Sequence, residues 1–130
     1  MKTTITPELA LKQITSGHLN QLIGLDPHDL TYVLDDAKEV VLLTYQQNSN
    51  TTPAAVIQQN MPEISKYAYK AKGAIIRFVC GRNHDLLMDD IDIIKTVEDL
   101  FPEGSDFSWD VEHTESPDFM LRIELYIVIK

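Results

Sequence analysis

The stretch Phe119-Met120-Leu121-Arg122-Ile123-Glu124-Leu125-Tyr126-Ile127-Val128-Ile129 decides the architecture. Every odd position in it is apolar, which is the period of a β-strand. It is the longest and most apolar strand-like run in the chain, so it belongs inside a sheet rather than at an edge. The strand before it reads from Phe107 to Glu112, with no helix between the two. Parallel neighbours need a crossover of a dozen or more residues, usually a helix. The last strand is therefore expected to run antiparallel to the rest.

Upstream, strands and helices alternate. Gly73 opens Ala74-Ile75-Ile76-Arg77-Phe78-Val79-Cys80, a second central strand, and Val40-Val41-Leu42-Leu43 marks a first one over Glu39 to Tyr45. Short apolar runs of this kind fit strands buried on both faces. Between them, Thr52 and Pro53 read as the N-cap and first position of a helix carrying Ala54, Val56 and Ile57. Pro62 is expected to end or kink it, with a further turn or two through Tyr67. Asp89 to Phe101 reads as an amphipathic helix with Ile93, Ile94, Val97, Leu100 and Phe101 on its buried stripe, stopped by Pro102 and Gly104.

Ahead of the sheet, residues 8 to 23 carry Leu9, Ile14, Leu19, Leu22 and Ile23 near a helical period, after a Pro7 suited to a first helical position. Gly17 weakens the middle of that helix by about 1 kcal/mol relative to alanine, and Gly24 ends it. A short second helix starts at Pro27 and covers Leu30, Val33 and Leu34. The expected fold is thus α/β (α+β): N-terminal helices, then a mixed four-stranded sheet in the order β-α-β-α-β-β. Its crossovers are right-handed, and its last strand is antiparallel and internal.

Composition bounds the function. The 130 residues suit a single domain, 1–130, and at 44% hydrophobic they supply a normal core. Eleven basic residues against twenty acidic ones give a net charge of −9. That balance argues against general nucleic-acid binding and against a polybasic membrane anchor. No run approaches the roughly 18 apolar residues of a membrane span, and Met1 to Pro7 has no apolar signal core. One cysteine, Cys80, excludes an internal disulfide and a thiolate metal cluster. The expectation is a reduced, cytoplasmic protein.

Three stretches, in order, resemble the C-terminal half of FtsZ, the bacterial tubulin-like division protein. Gln21-Leu22-Ile23-Gly24-Leu25-Asp26-Pro27-His28-Asp29-Leu30-Thr31-Tyr32-Val33-Leu34 looks like the end of the family's long central helix, its N-x-D-x-x-D synergy loop and the helix that follows. Ala71-Lys72-Gly73-Ala74-Ile75-Ile76-Arg77-Phe78-Val79-Cys80-Gly81 is similar to the family's A-[KR]-G-[VI]-L-V-N-I-T-G strand. Asp118 to Ile129 is similar to the closing D-E-[LV]-R-V-T-V-I-A-T-G strand. The resemblance covers roughly residues 8 to 130. It makes residues 1–25 a helix leading into a synergy-type loop and 26–130 the mixed-sheet domain. It also implies that the last strand lies between the first and second.

The family binds GTP through an N-terminal domain with a G-G-G-T-G-[ST]-G loop, and this sequence has none. Its glycines, at 17, 24, 73, 81 and 104, lie too far apart to cradle phosphates. The resemblance therefore implies neither autonomous GTP binding nor enzymatic activity, and no cofactor. In FtsZ filaments the synergy-loop acids reach the GTP of the neighbouring subunit. Asp26 and Asp29 match those acids, and Gly24 replaces the asparagine. Gly24, Leu25, Asp26, His28 and Asp29 would form the partner-binding tip, with Asp26 and Asp29 completing a partner's GTPase site. The same residues also make a good helix start, in which Asp26 caps, Pro27 takes the first position and Asp29 returns a bond. Both readings stand at this point.

Other residues offer less. Histidines 18, 28, 84 and 113 show no metal-ligand spacing, so no metal site is expected. His84, Asp85, Asp89, Asp90 and Asp92 read as a solvated loop and an acidic helix start. Arg77 and Arg82 read as surface ion-pair partners. Tyr67 and Tyr69, alternating with Ser65, Ala68 and Lys70, read either as a contact patch or as half-buried packing. Two functions of different class follow. One is an interaction module that caps or regulates the filaments of an FtsZ-like partner, or a fragment of a longer FtsZ-like chain. The other is a homo-oligomeric small-molecule-binding protein or enzyme using the second sheet face, where Arg122, Glu124 and Tyr126 alternate.

Overall fold

A computed structural model of the chain describes residues 2–16, 21–23, 34, 37–47, 52–81, 88–113 and 121–129. The strand at its centre is β6, Leu121–Ile129. It runs antiparallel to both neighbours, β3 (Glu39–Gln47) and β4 (Gly73–Cys80), pairing Glu39 with Ile129 on one side and Gly73 with Val128 on the other. β5, Asp106–His113, adds in parallel to β4. The antiparallel, internal last strand between the first and second central strands is as expected from sequence.

Two further strands widen the sheet beyond the expected four. β1, Lys2–Ile5, pairs antiparallel with β3, and β2, Gln21–Ile23, pairs antiparallel with β5. The six-stranded order is β1-β3-β6-β4-β5-β2. This corrects the reading of residues 8 to 23 as one helix. Helix α1, Pro7–Ser16, is described only up to the residue before Gly17, and Gln21 to Ile23 is extended. Glycine is the poorest ordinary helix residue, and the open edge of β5 offers the following segment its backbone hydrogen bonds. Of the expected second short helix only Leu34 is described; it is helical and buried.

Among the described residues three helices cover one face of the sheet: α2 (Pro53–Gln59), α3 (Met61–Ala68) and α4 (Met88–Glu98). Thr52 caps α2 by accepting from the Ala55 N–H at 3.1 Å, with proline in the first turn. The chain turns at Asn60, whose side chain donates to the Val56 carbonyl at 2.7 Å, and Pro62 then lies in the first turn of α3. Under these helices lies the main core, in which Val56, Ile57, Ile64, Ile93, Ile94 and Val97 meet alternate residues of β3, β4 and β6. All eight residues of β4 are buried, as a strand covered on both faces requires.

The other face carries α1, whose start is capped by the Thr6 hydroxyl, which accepts from the Leu9 N–H at 3.1 Å. A smaller core joins Ile5 and Ala10 to Val40, Ile75, Tyr126 and Val128. This second face is therefore not free, as the oligomer reading had it. One end lies under α1, and no helix among the described residues covers the other.

Candidate functional site

The open end of the second face is polar because alternation along each strand delivers polar side chains there. Arg77 on β4 stands directly opposite Glu124 on β6. Glu112 on β5 is the register partner of Val79, two residues further along β4 on the same face. Arg77 Nη1 donates to Glu124 Oε1 at 2.7 Å, and Nη2 donates to Glu112 Oε2 at 2.5 Å. Arg122 Nε lies 3.0 Å from the second oxygen of Glu124, so that carboxylate bridges two guanidiniums. The Tyr126 hydroxyl is 3.1 Å from Glu124 Oε1 and 3.4 Å from Oε1 of Gln13, which reaches in from α1.

Arg77 is the only buried polar or charged residue among those described, at 3% exposure. Burial alone would lower its pKa, but the carboxylates of Glu124 and Glu112 outweigh that and raise it. Arg77 thus stays a cation at any ordinary pH. Burial first, and the Glu124 carboxylate second, push the Tyr126 phenol above its usual value, with Arg77 opposing. Tyr126 is therefore a neutral hydrogen-bond donor. Around this cluster Gln13, Leu42, Thr44 and Gln46 complete a shallow cleft of about 560 Å³. Among the described residues its lining sets two guanidiniums against two carboxylates, which balance in charge. Such a lining suits binding through hydrogen bonds and paired charges.

Of the residues singled out from sequence, Arg122, Glu124 and Tyr126 are brought together here. Tyr126 is fully buried and Arg122 is about one-third exposed. Arg77 is ion-paired as expected, but inside the protein rather than at its surface. Gln13 and Glu112 were missed; the signal for a partner was an arginine inside an apolar strand, which demands carboxylates nearby. Gly24, Leu25, Asp26, His28 and Asp29 lie outside the described residues, as do Arg82, His84 and Asp85. Asp92 is exposed on α4, and Cys80 is fully buried. Among the described residues no group of three or more His, Cys, Asp or Glu side chains is placed to hold a metal ion, and no helix is long and apolar enough to cross a membrane.

No protein-family model matches the chain, and no curated protein matches it by sequence. Solved structures do match in fold. An empty FtsZ dimer of M. jannaschii superposes with a TM-score of 0.68 at 18% identity, over 93% of this chain and 37% of that one. CetZ from Methanosaeta thermophila gives 0.61 at 16% identity, over 95% of this chain and 35% of the other. A TubZ protofilament structure from Bacillus thuringiensis gives 0.51 at 11% identity, over 84% and 30%. The chain spans between 30% and 37% of the length of these proteins, and it has the fold of that part of an FtsZ-type, tubulin-like molecule.

Proposed function

We propose that this chain is a non-enzymatic interaction module that engages a tubulin-like protein and caps or regulates its filaments. The observation that carries the reading is the fold: 93% of this chain superposes on part of FtsZ with a TM-score of 0.68. The sequence meanwhile holds no glycine-rich loop that could cradle a nucleotide phosphate. A module of this kind would present the Gly24-Leu25-Asp26 and His28-Asp29 tip to a partner's nucleotide face. There Asp26 and Asp29 would either orient water at the partner's GTP or block the next subunit. The test is to add the chain to polymerising FtsZ of its own cell and follow pelleted polymer and phosphate release. Loss of polymer at well below equimolar amounts, abolished by Asp26→Ala/Asp29→Ala, supports the reading. No change in either quantity sinks it.

The charge-balanced cleft favours a second reading, in which the chain binds a small polar molecule, as a homo-oligomer or alone. Arg122 and the glutamates would hold opposite charges of a zwitterionic ligand. A light-scattering mass of one chain, together with no stabilisation by amino-acid-like ligands, would remove it.

A further inference from the structure

The exposed face of α3 and the turn after it are unlike the rest of this acidic molecule. Ser65, Lys66, Tyr69 and Lys70 all point outward, and Lys72 follows, also exposed. Tyr69 is 70% exposed, the most exposed large apolar side chain among the described residues. Lys2 joins from β1. Its ammonium lies 5.2 Å from the centre of the half-buried Tyr67 ring, and that of Lys66 lies 5.6 Å from the same ring. Both ammoniums lie within the range at which a cation is attracted to the face of an aromatic ring. Lys2 and Lys66 thus meet at one ring, and Lys70 and Lys72 follow along the exposed turn after α3.

Among the described residues no carboxylate forms an ion pair with Lys2, Lys66, Lys70 or Lys72. Glu63, the acid on α3 itself, is engaged by the Tyr45 hydroxyl at 2.5 Å. The backbone under the patch is also fixed. Ala71 N–H donates to Ala68 O, Lys72 N–H to Val128 O, and Lys72 O accepts from Asp106 N–H, all within 3.0–3.1 Å. A partner meeting the patch therefore orders few backbone groups, which keeps the entropic cost of binding low.

We infer that Lys2, Lys66, Tyr67, Tyr69, Lys70 and Lys72 form a docking surface for a short acidic segment of a partner protein. The acid side chains would meet the four ammoniums, and Tyr69 would supply the aromatic contact on which interface affinity commonly centres. Net charge selects a short segment over a membrane or a nucleic acid. An extended polyanion feels the whole molecule's −9 and is repelled. A short peptide lying on the patch is screened from the remaining acids beyond a Debye length of about 8 Å. This surface lies apart from the acidic tip and does not depend on the proposal made for it.

The test is fluorescence anisotropy with a labelled oligoglutamate peptide, at low and at physiological ionic strength. An uncharged peptide of the same length and phosphatidylserine-containing vesicles run alongside. The expected result is salt-sensitive binding of oligoglutamate only. It should weaken about tenfold or more in Lys66→Glu/Lys70→Glu/Lys72→Glu, several-fold in Tyr69→Ala, and hardly at all in Lys95→Glu on α4, with circular dichroism confirming that each variant is folded. Binding of the triple variant as tight as wild type overturns the inference. So does an equal loss in Lys95→Glu, which would mark a non-local charge effect. Vesicle binding without peptide binding overturns it in favour of a lipid surface.

Discussion

Arg77 and Glu124 stand directly opposite each other on β4 and β6, and their side chains meet at 2.7 Å where Arg77 is only 3% exposed. Glu112 closes the other side of the same guanidinium. A cation so placed is stable only because both carboxylates are present, since removing one partner of a buried pair leaves an uncompensated charge. Glu124→Ala is expected to lower unfolding stability by about 3–5 kcal/mol. Arg122→Ala, at the exposed rim of the same network, should cost only about 0.2–1 kcal/mol. Urea denaturation of the two variants checks the contrast; equal losses would show that the network is not centred on Arg77.

Stability should fall at alkaline pH. The phenols of Tyr45 and Tyr126 are both held above their ordinary value, chiefly by burial. The hydrogen-bonded Glu63 adds to the shift at Tyr45, and the charge of Glu124 adds to it at Tyr126. When a folded-state pKa is raised, the unfolded chain releases its proton first, near pH 10, and the folded chain retains it. The contribution is whole below about pH 10 and is lost as pH climbs toward the folded values. Denaturation midpoints taken from about pH 8 to about pH 11 should drop. Tyr126→Phe should start lower and drop less over the same range.

The cap of α2 gives a sharper local test. Thr52 accepts from Ala55 N–H at 3.1 Å at a helix start otherwise marked only by a proline. Thr52→Ala should cost about 1 kcal/mol, and Thr52→Ser should be close to neutral. Thermal melts of both variants measure this.

Those features that rest on local patterning were legible before the structure. The period-two run of β6 fixed its type and its central place, and Thr52-Pro53 marked the start of α2 to the residue. β1 and β2 were not legible. Lys2 to Ile5 and Gln21 to Ile23 are only four and three residues long. Segments so short acquire strand geometry from the edge they pair with, and the sequence of that edge lies far along the chain. The cleft was half legible. Arg122, Glu124 and Tyr126 alternate visibly along one strand. Their meeting with Arg77, Glu112 and Gln13 depends on the register of three strands and the seat of α1, which no local pattern encodes.

The most direct test of the central claim asks whether the chain binds a tubulin-like partner at all. Fluorescently labelled chain, mixed with the FtsZ of its own cell and GTP, can be followed by analytical ultracentrifugation. Our account predicts that label sediments with polymer and saturates far below one chain per subunit, and that Asp26→Ala/Asp29→Ala stays at the top of the cell. Label that sediments as free chain under every nucleotide condition would contradict it.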